Sequence, residues 1–116
     1  MAVFASRQIV MPVMSVVVTI TGAGNADYCY ATINGTKQYS AGTHEVNAGD
    51  TITFGVFGIS PNDPGTVTID GTEVLRVTNN STKTYDWTVP NGISTIEIAM
   101  QYKVGASYGR ITVTTA

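Results

Sequence analysis

Apolar and polar residues alternate along most of this chain, in short runs that are rich in Thr and Val. In the run from Thr51 to Phe57, the apolar residues Ile52, Phe54 and Val56 share one side, while Thr and Gly occupy the other. Alternation with a period of two is typical of a β-strand that buries one face, and no window has a convincing period of 3.6 residues. The pattern therefore predicts an all-β protein.

Three turn dipeptides, Asn34-Gly35, Asp70-Gly71 and Asn91-Gly92, separate the alternating runs. Asn or Asp followed by Gly accepts a positive φ at both central positions of a tight hairpin turn. Turns of this kind join neighbouring antiparallel strands. Several short strands separated by turns favour a β-sandwich, with a small closed barrel as the alternative.

The runs between the turns give the predicted strands. The main ones are Ser15–Thr21, Asp27–Ile33, Thr51–Phe57, Thr66–Asp70, Thr72–Val77, Lys83–Val89, Ile93–Tyr102 and Gly109–Thr115. Shorter runs with strand-like composition are Arg7–Val10, Thr36–Tyr39 and Thr43–Val46. The apolar sides of these strands predict a core that contains Val18, Ile52, Phe54, Trp87, Ile98 and Val113.

Composition narrows the classes of partner. Hydrophobic residues make up 43% of the 116 residues, which is ordinary for a globular domain, but charged residues make up only 12%, about half the usual share. A surface with few charges favours contacts with other chains, because charges normally discourage association. The net charge is −2 and the six Lys and Arg residues are scattered. This argues against nucleic acid as a partner, since phosphate binding requires clustered cations.

The chain is expected to form one domain over residues 15–116, preceded by an irregular segment or start-site extension, residues 1–14. A signal peptide is the competing interpretation of this segment. In that interpretation Arg7 precedes an apolar stretch at Ile9–Val18, and the small residues at Gly22–Ala26 form the cleavage zone. No segment approaches the ~20 apolar residues of a membrane-spanning helix.

Residues with catalytic or metal-binding chemistry are few. His44 is the only histidine and Cys29 the only cysteine, which leaves too few ligands for a zinc site and no partner for an intrachain disulfide. No Gly-x-Ser-x-Gly sequence supplies a nucleophile near His44. We therefore expect no enzyme activity, no cofactor and no bound metal. The one calcium candidate is Asn62-Asp63 in the Pro61–Pro64 loop, and Asp50 is expected to cap its own turn.

The candidate contact surface consists of aromatic residues at strand ends or on the solvent side of a strand, namely Tyr28, Tyr30, Tyr39, Phe57, Tyr102 and Tyr108. Tyr28 and Tyr30 alternate with Cys29 and Ala31, so they point away from the core if those small residues are buried. An exposed tyrosine can stack on a sugar or anchor a protein interface. The alternative is that Tyr28 and Tyr30 pair with neighbouring strands on a solvated sheet face.

Four segments carry a resemblance to a known class of module: Ala31–Thr36, Val46–Phe54, Tyr85–Pro90 and Gly109–Thr114. Over residues 16–113 the chain resembles the immunoglobulin-like modules of bacterial surface proteins and of phage tail and head proteins. The resemblance implies an immunoglobulin-like antiparallel β-sandwich of about seven to eight strands. A single cysteine fits only the branch that lacks the antibody-type disulfide.

Modules of this class serve as spacers, as adhesive or carbohydrate-binding appendages, and as decorations of virions. The resemblance therefore implies a non-enzymatic structural or interaction module, in particular a phage or mobile-element accessory protein attached to a virion or its tail. A protein partner or self-association is expected. A carbohydrate-binding or cell-surface adhesion module is the alternative, and a virion or extracellular location is favoured over the cytoplasm.

Overall fold

The computed structural model describes residues 15–91, 95–104 and 107–115, with the backbone alone for Val104, Ser107 and Tyr108. These residues form ten β-strands: β1 Ser15–Ala23, β2 Cys29–Ile33, β3 Thr36–Gln38, β4 Ser40–Asn47, β5 Thr51–Gly58, β6 Gly65–Ile69, β7 Thr72–Val77, β8 Ser81–Thr88, β9 Ile96–Val104 and β10 Ser107–Thr115. The described part of the chain contains no helix that is long and apolar enough to cross a membrane.

The strands form two antiparallel sheets that pack face to face. Six strands make the first sheet in the order β4-β1-β10-β9-β6-β7, and four make the second in the order β3-β2-β5-β8. β5 packs against β9 and β6 of the first sheet, and β8 lies against β7. The arrangement is a two-layer sandwich. Among the described strands, the sheet edges are β4 and β7 in the first sheet and β3 and β8 in the second.

The prediction of an all-β sandwich is confirmed, with ten strands among the described residues rather than about seven to eight. The short runs at Thr36–Gln38 and Ser40–Asn47 are separate strands in different sheets, because the chain passes from one sheet to the other at Tyr39. The last strand before the β9–β10 connection ends at Val104, two residues beyond the predicted end at Tyr102.

Some predicted features lie outside the described residues. These are the strand-like run at Arg7–Val10 and the whole of the segment 1–14, including most of the alternative signal peptide. The glycine of Asn91-Gly92 and the first residues of the predicted strand Ile93–Tyr102 also lie outside them. These expectations therefore stay predictions.

The core lies between the sheets and contains most of the residues predicted for it. Val18, Ile52, Phe54, Ile98 and Val113 are at most 1% exposed. Trp87 differs, because it lies on the edge strand β8 and is only partly buried. Its indole packs on the Phe54 ring, with 6.1 Å between the ring centroids.

The hairpin turns adopt the backbone conformation that their sequences predict. Asn34 and Gly35 have φ of 51° and 79°, and Asp70 and Gly71 have φ of 49° and 83°, as a turn with two positive φ angles requires. The Asp70 Oδ1 also accepts a hydrogen bond of 2.9 Å from the Glu97 N–H, which ties this turn to β9. The predicted cap at Asp50 is confirmed, since its Oδ2 accepts the Asn47 N–H at 3.0 Å.

Because successive strands run in opposite directions, their connections collect at two ends of the sandwich. One end, which we call the loop end, carries residues 24–28, 59–64 and 78–80 and the connection from β9 to β10. The opposite end carries the tight turns at Asn34-Gly35 and Asp70-Gly71. The predicted aromatic contact residues lie at or near the loop end, because they precede β2, end β5 and β9, or connect β3 to β4.

Candidate contact surface

Three of the six predicted aromatic residues meet at the loop end and form what we call the aromatic cluster: Tyr28, Phe57 and Tyr102. Tyr28 and Phe57 are held together by a backbone hydrogen bond of 2.8 Å from the Phe57 N–H to the Tyr28 carbonyl. Their rings meet edge to face with centroids 5.0 Å apart, and the Tyr28 ring stacks on Tyr102 at 6.2 Å. Rings in these geometries contribute about 0.5–1.5 kcal/mol per pair beyond their burial.

Tyr102 is the buried member of this cluster, with 8% of its surface exposed. It faces the core in β9 and lies over Gly109, its partner in β10, so that a Cβ at position 109 would come within 2.7 Å of the Tyr102 Oη. Burial raises the pKa of the Tyr102 hydroxyl, and the charge of the Cys29 thiolate would raise it further. Tyr102 therefore offers little surface to a partner and serves the packing of this end.

Tyr30 is also buried, at 8% exposure, although it points to the outer face of the four-stranded sheet. Its ring lies over Gly55 in β5, where a Cβ would come within 2.7 Å of the Tyr30 Cε1. The Lys37 Nζ stands 4.3 Å from the ring centroid, a distance at which a cation is attracted to an aromatic face. With Gly55 and Lys37 both against the ring, Tyr30 is not a free stacking platform.

Tyr39 is the most exposed of the described candidates, with 42% of its surface accessible. It lies between β3 and β4, and its carbonyl accepts the Gly24 N–H at 2.7 Å, which fixes the backbone where the chain changes sheets. The sixth candidate, Tyr108, lies in β10 opposite Lys103 of β9. The side chain of Tyr108 is outside the described part of the structure.

Polar contacts hold the backbone around the aromatic cluster in place. The Lys37 Nζ donates to the Ala26 carbonyl at 3.1 Å, and the Thr82 Oγ1 donates to the Asp27 carbonyl at 3.2 Å. Both contacts tie the loop before β2 to the outer face of the four-stranded sheet. The loop that leads to Tyr28 is therefore anchored at two points, which presents the cluster in a fixed shape.

The calcium candidate at Asn62-Asp63 gains no support from this geometry. The Asp63 Oδ1 forms an ion pair of 3.1 Å with the Lys103 Nζ, so a protein cation already accompanies the carboxylate that a calcium ion would need. Among the described residues, no group of three or more His, Cys, Asp or Glu side chains is placed to hold a metal ion.

His44 lies in the edge strand β4, opposite Val18 of β1 and on the same side as the buried Val46. Alternation along Thr43–Val46 predicts the same side for His44 and Val46. A Cβ added at Gly42, two residues earlier in β4, would lie 3.6 Å from the His44 Nε2. His44 is therefore a half-buried residue at the rim of the core.

Cys29 begins β2 with its side chain fully buried in the core, like those of Ala31 and Ile33 in the same strand. Burial raises the pKa of the Cys29 thiol from 9.0 to about 12, and a hydrogen bond with the Ile111 backbone acts in the opposite direction. The thiol is therefore protonated in the folded protein at pH values where an unfolded chain would lose the proton.

This difference predicts that alkali destabilises the protein through Cys29. Between about pH 9 and 12 the unfolded chain binds fewer protons than the folded one, so the free energy of unfolding falls as the pH rises. We expect Cys29 to account for a loss of about 2 kcal/mol between about pH 8 and 10.5. Urea unfolding at several pH values checks this, with Cys29→Ala as the control that lacks the thiol. The Tyr102 hydroxyl acts in the same direction in both proteins, so parallel pH profiles would contradict the prediction.

Comparisons with known proteins leave the family open. No family model, curated protein or solved structure matches the chain. The resemblance to immunoglobulin-like phage and surface modules therefore stays a prediction.

Proposed function

We propose that this protein is a non-enzymatic interaction module that works by binding other protein chains. The observation that supports this most is Tyr39, an aromatic ring with 42% of its surface exposed at the loop end. Tyrosine is enriched at protein interfaces, because one ring buries a large apolar area while its hydroxyl still finds a hydrogen-bond partner. An exposed ring on an anchored backbone suits such a contact.

The surroundings of Tyr39 fit the same proposal. The partly buried Tyr28 and Phe57 lie at the same end of the sandwich and add apolar surface there. The outer sheet faces are rich in Thr and the chain is only 12% charged, so a partner would displace few strongly hydrated groups. Anchored loops also keep the entropy lost on binding small.

We further propose that the module is a phage or mobile-element accessory protein, as a virion decoration or a tail-associated protein. This part rests on the resemblance of segments such as Val46–Phe54 and Tyr85–Pro90 to modules of that class. The products of the genes next to this one are therefore the first partners to test.

Replacing Tyr39 with serine is expected to weaken partner binding about tenfold or more, because truncating a tyrosine at the energetic centre of an interface costs about 2 kcal/mol or more. Binding of purified neighbouring gene products to the immobilised protein measures this. The matched control is Val17→Ser. Val17 is equally exposed at 43% but lies on the outer face of β1, away from the loop end. Equal losses for the two variants, or none for Tyr39→Ser, would place the contact elsewhere.

Carbohydrate binding through Tyr28 and Tyr30 is the alternative. Sugar stacking needs an accessible ring face, whereas Tyr30 is covered by Gly55 and Lys37, and Tyr28 packs on Phe57 and Tyr102. A glycan array decides between the two functions. Specific glycan binding that Tyr28→Ala abolishes would favour the alternative over the protein-binding module.

A further inference from the structure

The four sheet edges differ in how well they are protected against pairing with another chain. β3 has only three residues, β4 has a register shift against β1, and β7 has a register shift against β6 and an ion pair of 3.0 Å between Arg76 and Glu73. Short strands, bulges and charges are the usual ways to blunt an edge. β8 is neither short nor bulged, because its eight residues pair with β5 without interruption from Ser81 to Thr88. Its two charged residues are Lys83 and Asp86, which have opposite signs and restrict the strands with which β8 can pair.

Among the described residues, no strand pairs with β8 on the side away from β5. The Val89 N–H donates to the Asp50 carbonyl and the Val89 carbonyl accepts the Gly49 N–H, so residue 89 points toward β5. On β5, the Phe57 N–H donates to Tyr28 on the β2 side, so Phe57 and its partner Thr82 do not bond to each other. Alternation along an antiparallel ladder then directs the N–H and C=O groups of residues 82, 84, 86 and 88 to the open edge.

We propose that β8 pairs antiparallel with β8 of a second copy of this chain, with Tyr85 at the two-fold axis. The two four-stranded sheets then form one continuous eight-stranded sheet. This inference rests on the proposed function, for which it names one partner, a second copy, and one surface. A two-fold contact of this type is closed, so it predicts a dimer and no longer assembly.

Charge and hydrogen bonding select this register. In the continuous sheet, the outer faces of the two copies lie on the same side, so the two-fold axis is perpendicular to the sheet. One residue of β8 then lies directly opposite the same residue of the second copy. Centres at Lys83 or Asp86 would place like charges opposite each other, which is destabilising. A centre at Thr84 would pair the free backbone N–H and C=O groups of only three residues of β8. A centre at Tyr85 pairs those of four residues: Thr82 lies opposite Thr88 of the second copy, and Thr84 lies opposite Asp86 of the second copy.

The side chains of β8 are self-complementary in the Tyr85-centred register. Thr84 lies opposite Asp86 of the second copy on the outer face, where its hydroxyl can donate to a carboxylate that already accepts the Thr53 hydroxyl at 2.8 Å. On the other face Lys83 lies opposite Trp87 of the second copy, an indole that is only partly buried in the single chain. A lysine over an indole is a favourable cation–π pair. A lysine on the core-facing side discourages pairing with apolar strands, which makes β8 selective for its own sequence.

Replacing Thr84 with proline tests the pairing, because proline removes an N–H that the proposal directs to the second copy and β5 does not use. Thr84→Ala is the matched control, since it removes the side chain and keeps the N–H. We expect the wild type to approach twice the 12.2 kDa chain mass in sedimentation equilibrium between about 5 and 500 μM. Both variants lose the hydroxyl that faces Asp86 of the second copy, so the difference between them measures the N–H alone. Thr84→Ala should still dimerise, and Thr84→Pro should dimerise at least about tenfold more weakly than Thr84→Ala at unchanged strand content.

Amide hydrogen exchange of the wild type gives a second test that needs no variant. Between the lowest and highest concentration, we expect the amides of Thr82, Thr84, Asp86 and Thr88 to become protected. The amides of Lys83 and Tyr85, which already bond to β5, should change little. This alternating pattern would also separate β8 pairing from a dimer formed through another surface.

The possible results of these experiments separate the β8 pairing from the proposed function. A single-chain mass at all concentrations, a dimer that Thr84→Pro leaves intact, or exchange protection without the alternation would each overturn the β8 pairing. A monomer that still binds a neighbouring gene product through Tyr39 would overturn the β8 pairing and leave the proposed function standing. A monomer that binds no such product would count against both.

Discussion

Replacing Gly58 with alanine is expected to destabilise the protein by about 3 kcal/mol. At the end of β5 the backbones of the two sheets approach so closely that a Cβ on residue 58 would overlap the Val77 carbonyl oxygen and lie 2.7 Å from the Gly65 nitrogen. These are backbone atoms of β7 and β6, which cannot move aside as a flexible side chain would. Relief therefore requires the sheets to separate at the loop end. Urea unfolding measures the loss of free energy.

Gly42→Ala is the matched control for this prediction. Gly42 also lies in a strand, but a Cβ there would meet only the His44 Nε2 at 3.6 Å, which is an ordinary contact. Alanine lowers the entropy of the unfolded chain, so this variant should be neutral or slightly stabilising. Equal stabilities of the two variants would show that the sheets do not approach at Gly58 as described.

Replacing Tyr102 with alanine is expected to cost about 3–4 kcal/mol, because its ring is buried and leaves a cavity when removed. The change also uncovers Gly109 and removes the ring on which Tyr28 stacks. Tyr102→Phe keeps the ring, so it should lose much less stability. Thermal and urea unfolding of the two variants measure the difference.

Tyr39→Ala provides the contrast among the predicted contact residues. Because Tyr39 is exposed, this variant should stay within about 0.5 kcal/mol of the wild type. The two tyrosines thus divide into one that maintains the fold and one that is available for contact. A large loss of stability from Tyr39→Ala, or none from Tyr102→Ala, would reverse that assignment.

Local sequence was sufficient to predict the turns and most of the core. The φ angles of Asn34 and Asp70 and the cap at Asp50 depend on residues next to one another in the chain. Alternation likewise placed Val18 and Ile98 inside, because the side that a residue faces depends only on its position within its own strand.

The burial of Tyr30 depends on a residue that is distant in the sequence. Alternation correctly placed Tyr30 on the outer face, but only the pairing of β2 with β5 brings Gly55 beneath its ring. For Tyr102 a local signal existed. Tyr102 and Gly109 are equally distant from the midpoint between β9 and β10, so a hairpin centred there places them opposite each other. A tyrosine opposite a glycine folds over it and becomes buried.

The order of the strands within each sheet could also not be predicted from the sequence. The Trp87 side chain lies on the core-facing side of β8, as alternation predicts, yet it remains partly exposed because β8 is the last strand of its sheet. Edge position depends on which strands pair with one another. Hydrophobic alternation does not reveal it, because an edge strand and a central strand that each bury one face alternate in the same way. The open β8 edge could therefore be recognised only from the structure.

We propose that this protein acts by contact with other chains. The most direct test is light scattering of the wild type over a wide concentration range, combined with titration against the purified products of neighbouring genes. We expect a mass above the 12.2 kDa of one chain, saturable binding to one of these products, or both. A single-chain mass at every concentration, with no binding to any of them, would contradict the claim.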